Sequence, residues 1–398
     1  MHRKMYLLLL ISHMAVAVSA QKPSSYAFPQ EIQQTLSKDS TPWKAQRASW
    51  EFSFIGEYQT SLSMADSNYK FKKKLPVLAP EALKDLSRYK PVNARQYILD
   101  RADKGSIIII NEAHYQPLHR VFTSSLLKGL YEKGYRYLGL EALYGMDSML
   151  NQRGYPVDST GYYTKEPQFG NLIREALQTG FTIFGYEADD EDMNNNKREY
   201  GQAKHLAAYM KQYPGKWLIH CGYGHLMEKE HASFGLAMAG QLKQLTGIDP
   251  FTINQDALTE HSAPLYEQPE YQHIKAAWPA ILIDEKGEPY NGYGDDRYYD
   301  IRMFHPHSSF THGRPSWLYT MLPGRKAVRV PVNKLTIGFP VLAFAWPENE
   351  DIETAIPVDI MLLTSEQDSK AFALKAGRYR ILLRNLQGKE LDWQQIVE

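Results

Sequence analysis

An α/β fold, built on a mostly parallel sheet flanked by helices and followed by a small β-rich C-terminal part, is the architecture this sequence predicts. Three observations predict it. Between about residues 81 and 260, short apolar runs alternate with segments of helical apolar spacing. Glutamate, histidine and asparagine recur where the apolar runs end. After about residue 325 the pattern changes to short β-like runs with turn signals such as Pro323-Gly324 and Ala376-Gly377.

Residues 1–20 read as a signal peptide. His2, Arg3 and Lys4 form a basic start, Tyr6 to Val18 an apolar core too short to span a bilayer, and Val18-Ser19-Ala20 a small-residue cleavage site. No cysteine follows the apolar core, as a lipoprotein signal would require. The expectation is a secreted or periplasmic protein with no integral membrane span.

Residues 21–80 are mixed and polar, and read as an extended lead-in with a helix or two. The α/β region then covers 81–320. The segments EALKDLSRY and ARQYILDRAD read as helices. Ser106 to Ile110 reads as a buried strand, because four isoleucines in a row suit a sheet covered on both faces. Leu118 to Lys133 is helical and Tyr135 to Leu140 a strand ending at Glu141. Phe169 to Gly180 is a helix with Gly180 as its stop, and Phe181 to Phe184 a strand running to Glu187. Lys197 to Tyr213 is a long helix closed by Pro214-Gly215. Trp217 to Ile219, Phe251 to Asn254 and Ala280 to Asp284 read as further strands, with a helix over Phe234 to Thr246. Residues 255 to about 320 are otherwise rich in Tyr, His, Pro and Asp, and suggest large loops over the sheet. Residues 321–398 supply the β runs KAVRVPV, FPVLAFAW, PVDIMLL and YRILLRNL.

Bulk chemistry excludes some partners. Lys+Arg and Asp+Glu both number 45, so nothing in the net charge favours nucleic acid. A single cysteine, Cys221, rules out an internal disulfide, and its neighbours predict a buried apolar thiol. No G-x-S-x-G motif or phosphate loop is present, which disfavours serine-esterase and nucleotide-binding chemistry.

The strand ends carry the chemistry. In a parallel sheet the C-terminal strand ends share one edge, where ligands bind. Asn111, Glu112 and His114 follow the first strand, Glu141 the second, Glu187 the third, and His220 with Gly222-Tyr223-Gly224-His225 the fourth. Two chemistries use this set. A histidine held by carboxylates can activate water while a second histidine or an arginine stabilises developing charge. Alternatively His114, Glu141 and His225 can ligate a catalytic metal.

These motifs resemble a superfamily that includes the erythromycin esterases, ChaN-type haem-binding lipoproteins, TraB/GumN proteins and Tiki proteases. The resemblance rests on NEAH at 111–114, LGLEAL at 138–143 and GYGHL at 222–226, and spans roughly residues 100 to 260. Asn111 stands where the family pattern has glycine. Arg120 sits where several members carry a basic residue. The resemblance implies an erythromycin esterase/ChaN-like α/β domain. It further implies an exported hydrolase acting on an ester or amide in a small-molecule or peptide substrate, with Glu112, His114, Arg120, Glu141, Glu187 and His225 as catalytic residues. Esterase members imply no cofactor and Tiki members a divalent metal. ChaN-type members imply a haem-binding protein without catalysis.

A second cluster, His305-Pro306-His307 with His312, Arg314 and Trp317, also has metal- or ligand-binding composition; loop residues facing substrate over the cleft are the expected role.

Overall fold

The computed structural model describes residues 26–69, 74–143, 145, 147–189, 195–231, 235–293 and 297–398. The predicted signal segment, residues 1–20, lies outside them.

Its N-terminal segment forms α1 (Pro29–Lys38), α2 (Lys44–Phe54) and α3 (Tyr58–Asp66), more helix than the expected lead-in. Then come α4 (Pro80–Leu86), β1 (Lys90–Asn93), α5 (Ala94–Arg101), β2 (Ile107–Glu112), α6 (Pro117–Glu132), β3 (Tyr135–Leu140), α7 (Leu150–Arg153) and α8 (Pro167–Thr179). They are followed by β4 (Thr182–Gly185), α9 (Asn195–Gln212), β5 (Lys216–Gly222), α10 (Met238–Thr246), β6 (Phe251–Leu258), β7 (Ala280–Ile283) and β8 (Ile301–Phe304).

Strands β1 to β8 make one sheet in the order β1-β7-β8-β6-β2-β5-β3-β4. From β8 to β4 every pairing is parallel; β7 runs antiparallel to both its neighbours. The fold is therefore α/β, as the alternation predicts. Some details differ from the sequence reading: β1 was not expected, and α10 begins at Met238 rather than Phe234. Strand β8 lies in a stretch expected to be loop, and β2 and β5 run further than expected. Asn111, Glu112 and Gly222 are thus the last strand residues, paired across the sheet, rather than loop residues.

Period-two alternation explains the isoleucine run. Ile108 and Ile110 pack with Ile98 of α5, Phe122 and Leu126 of α6, and Phe169 and Leu172 of α8. Ile107 and Ile109 face the other side, against Leu206 of α9 and Met238 and Leu242 of α10. Cys221 sits fully buried in that second layer as an apolar side chain. Gly180 ends α8 at φ 107°, a left-handed conformation that costs glycine little.

The remainder contains the pair β9 (Phe310–Thr311) and β10 (Arg314–Pro315), α11 (Trp317–Thr320), and strands β11 (Lys326–Arg329) to β16. Strands β12 (Val341–Pro347), β13 (Asp359–Leu363), β15 (Gly377–Asn385) and β16 (Glu390–Val397) form an antiparallel sheet in the order β13-β12-β15-β16. Strand β14 (Ala371–Leu374) pairs with β11. The N-terminal helices pack on the larger of these sheets. Phe28, Phe52, Phe54 and Ile55 share a core with Leu342, Phe344, Trp346 and Ile360.

Candidate active site

The site is assembled at the C-terminal edge of β2, β3 and β5. At its centre is the Glu112 carboxylate, 1% exposed. Oε1 accepts from His114 Nδ1 at 2.8 Å and Arg120 Nη2 at 2.7 Å. Oε2 accepts from Arg120 Nε at 2.6 Å and His220 Nε2 at 2.9 Å. Burial pushes this carboxyl up, but Arg120 and the hydrogen bonds of His114 and His220 outweigh it, so Glu112 lies well below the usual carboxylate range.

Because an ionised carboxylate only accepts, the bond to Glu112 fixes the proton on His114 Nδ1 and leaves the lone pair on Nε2. The imidazole is clamped as well as oriented. It stacks on Tyr163 with ring centroids 3.8 Å apart, and meets the edges of Tyr223 and Trp50. Its side chain is 9% exposed. The free nitrogen lies over Gly222. A Cβ on that glycine would fall 2.6 Å from His114 Nε2 and 3.3 Å from Glu141 Oε2, so only glycine leaves the space between them open.

Arg120 holds the carboxylate from behind. Beyond Glu112 it donates to the His114 carbonyl at 2.8 Å and to Glu166 at 3.1 Å, and its guanidinium lies over Phe169. Glu166 caps α8, accepting from the Phe169 N–H at 2.9 Å. Burial pushes Glu166 above the ordinary range despite Arg120.

On the other side of Gly222 stands a second ionic group. Glu141 Oε2 accepts from the Gly222 N–H at 2.5 Å, and Oε1 lies 3.1 Å from His225 Nε2 and 2.6 Å from Arg198 Nη2. His225 Nδ1 is 2.7 Å from Glu199. Burial pulls the His225 pKa down, but Glu141 and Glu199 raise it more, and it is pushed up to about 10. The two carboxylates thus favour the charged form of the ring. Arg198 Nη1 also lies 3.0 Å from Nε2, within hydrogen-bond distance. Glu141 is held well below its usual range: His225, Arg198 and His114 together overcome its burial.

The structure brings Glu112, His114, Arg120, Glu141 and His225 together. Glu187 stands further out. It grips Arg198 through Nε at 3.0 Å and Nη2 at 2.6 Å and touches neither His114 nor His225. His114 pairs with Glu112, and His225 with Glu141 and Glu199, rather than the three forming a ligand set. Both His225 nitrogens are committed to carboxylates, and among the described residues no group of three or more His, Cys, Asp or Glu side chains has the geometry to hold a metal. These residues do not fit a catalytic metal.

Sequence reasoning missed Arg198 and Glu199 in α9, Glu166, and the ring of Trp50 and Tyr163. Glu166-Pro167 carried a readable signal, a capping carboxylate before a proline at a helix start. Asn111 also acquires a role. Its Nδ2 donates to the Tyr223 carbonyl at 2.8 Å while its Oδ1 accepts from the Gln255 N–H at 2.7 Å. Tyr223 has φ 39°, a conformation costly for a side-chain-bearing residue, and Asn111 braces that turn.

The second histidine cluster is dispersed. His305 is buried beside His119, His307 is exposed and pairs with Glu267 at 2.6 Å, and His312 lies against Tyr319. Arg314 is an anchor: both terminal nitrogens donate to Asp359 at 2.7 Å, tying β10 to β13. Trp317 packs on Tyr58 and donates to Ser308 at 3.0 Å.

No protein-family model matches this chain, and no curated protein does. Solved structures show local likeness. One is the crystal structure of RRSP, a MARTX toxin effector domain from Vibrio vulnificus CMCP6, at 14% identity and TM-score 0.31, covering 42% of this chain and 36% of that one. Another is the type III effector HopBA1, at 10% identity and TM-score 0.34, covering 56% of this chain and 97% of that one. The chain thus spans roughly a third of the RRSP structure's length. Likeness at such TM-scores carries no functional inference.

Proposed function

We propose that this chain is an exported hydrolase that cleaves an ester or amide bond with a water activated by His114. One observation carries the reading: His114 is locked in a single tautomer by Glu112, and its free Nε2 borders the space over Gly222. In this mechanism Nε2 takes a proton from water as the water attacks the carbonyl carbon. The imidazolium that forms is stabilised by Glu112, whose charge Arg120 and His220 hold in place. The proton on His114 Nε2 then passes to the leaving oxygen or nitrogen, while His225, its two nitrogens held by Glu141 and Glu199, supplies positive charge beside the site. In this reading Glu141 and Glu199 fix the His225 ring, and Arg198 the position of Glu141. The resemblance to the erythromycin esterases supports this metal-independent form. The export reading rests on residues 1–20.

The test is a panel of p-nitrophenyl esters and peptide anilides assayed with wild type and His114→Ala, with a parallel haem titration. Turnover that disappears in the variant supports the proposal. Absence of turnover on every substrate, with a Soret shift on haem addition, would replace it with a haem-binding role.

A further inference from the structure

We infer that the chain has a second ligand site: a cavity of about 460 Å³ that takes an organic ammonium ion, its N–H received by His261 Nε2 and its apolar body held among Tyr58, Phe310 and Trp317. None of Glu112, His114, Gly222 and His225 lines it. Its volume is in the range that holds a small organic ligand.

Three segments wall the cavity. Tyr58 and Leu62, one helical turn apart, present one face of α3. Residues 260–262 follow β6, and Phe310, Pro315 and Trp317 come from β9, β10 and α11. Tyr58 and Trp317 pack together with ring centroids 5.4 Å apart, and Phe310 is 47% exposed.

The group that reads the ligand is a histidine held by a buried carboxylate. Asp66, the last residue of α3, is 1% exposed. Its Oδ1 accepts from His261 Nδ1 at 2.6 Å, and its Oδ2 from the Ser262 N–H at 2.7 Å and the Ser262 hydroxyl at 2.6 Å. Nδ1 therefore carries a proton, and the neutral ring keeps its lone pair on Nε2. With the Nδ1 edge turned to buried Asp66, the opposite edge is the open part of a side chain that is 13% exposed and lines the cavity. Nε2 has no hydrogen-bond partner among the described residues, and it keeps accessible surface.

The charge of the wall is one-sided. Glu260 lines the cavity, its Oε2 accepting from the Ser308 N–H at 2.7 Å and its Oε1 from the Ser308 hydroxyl. Burial pushes this carboxyl above its ordinary range, and no lysine or arginine offsets the burial; only the Ser308 hydrogen bonds and His307 act the other way. His307, also in the wall, has its Nε2 2.6 Å from Glu267. No Lys or Arg is among the described residues lining the cavity. The carboxylates and the negative faces of the aromatic rings attract a cation and disfavour an anion. A primary ammonium adds the N–H that the His261 lone pair accepts, which a carboxylate ligand lacks.

The probes are phenethylammonium, N,N,N-trimethylphenethylammonium and phenylacetate, titrated against the full chain at mildly alkaline pH by calorimetry and ligand-observed NMR. Phenethylammonium should bind saturably and about tenfold or more tightly than phenylacetate. His261→Asn keeps an N–H near the place of Nδ1, facing Asp66, and removes Nε2. It should weaken phenethylammonium by about tenfold and the trimethyl cation, which has no N–H, by less than about twofold. Phe310→Ala, at a half-exposed position where folding is not at stake, should weaken both cations by about threefold. Phenylacetate binding as tightly as phenethylammonium, equal effects of His261→Asn on the two cations, unchanged binding in Phe310→Ala, or no saturable binding of either cation would overturn the inference. Because no readout uses turnover, the result is independent of the hydrolase reading.

Discussion

Replacing Glu112 by glutamine tests the ionic centre with almost no change of volume. No cavity is created, so the cavity cost of a truncation is absent. What is lost is one charge that accepts from Arg120 Nε and Nη2, His114 Nδ1 and His220 Nε2 at 2.6 to 2.9 Å. Arg120 is 0% exposed and cannot turn to solvent. Breaking a buried pair from one side typically costs about 3–5 kcal/mol. Arg120 keeps Glu166 at 3.1 Å and the His114 carbonyl at 2.8 Å, which places the expected loss at the lower end, about 3 kcal/mol. The sign with pH follows from the depressed carboxyl. Stability from Glu112 is fully present above the unfolded value of about 4.3, and is lost as pH falls toward the lower folded value. Urea unfolding followed by circular dichroism, near neutral pH and in acid, measures both. A loss under about 1 kcal/mol at neutral pH, or one equally large in acid, would refute the reasoning. Adding Arg120→Met to the glutamine variant should restore part of the loss, since it removes the stranded cation.

Other outcomes follow from the same geometry. Gly222→Ala should cut hydrolysis by about a hundredfold, because its Cβ meets His114 Nε2 at 2.6 Å while the backbone at φ −86° tolerates alanine; assay of the purified variant checks it. The His225 pKa is raised, so its contribution to stability is full below about 6.5 and is lost as pH rises through about 10. An NMR titration should find this ring still protonated at neutral pH in wild type and titrating lower in Glu199→Gln. Asp359→Asn should destabilise the protein by about 3–5 kcal/mol in urea unfolding, because it strands the buried Arg314 guanidinium.

The legible parts of this protein are those written by local spacing. The Ile107–Ile110 run names its own strand, and period two explains why all four are buried. Glu112, Glu141 and the Gly222–His225 segment could be read as one edge because strand ends of a parallel sheet share it. Arg198, Glu199 and Glu166 were hidden because they approach from helix starts, and nothing local marks which carboxylate a helical arginine will meet. Trp50 comes from α2, more than sixty residues before His114, and meets the His114 and Tyr163 rings only through tertiary packing. Strand β8 was obscured by brevity: IRMF is a short run inside a loop-rich stretch, and its place between β7 and β6 is decided by tertiary pairing.

The central claim is that His114 Nε2 is the base. The most direct measurement is kcat/KM for the best ester or anilide substrate in wild type and in His114→Ala. The account predicts that activity per folded molecule falls about a thousandfold, counted on the folded fraction because removal of this buried, stacked ring also costs stability. A variant that keeps activity within about threefold of wild type would contradict it.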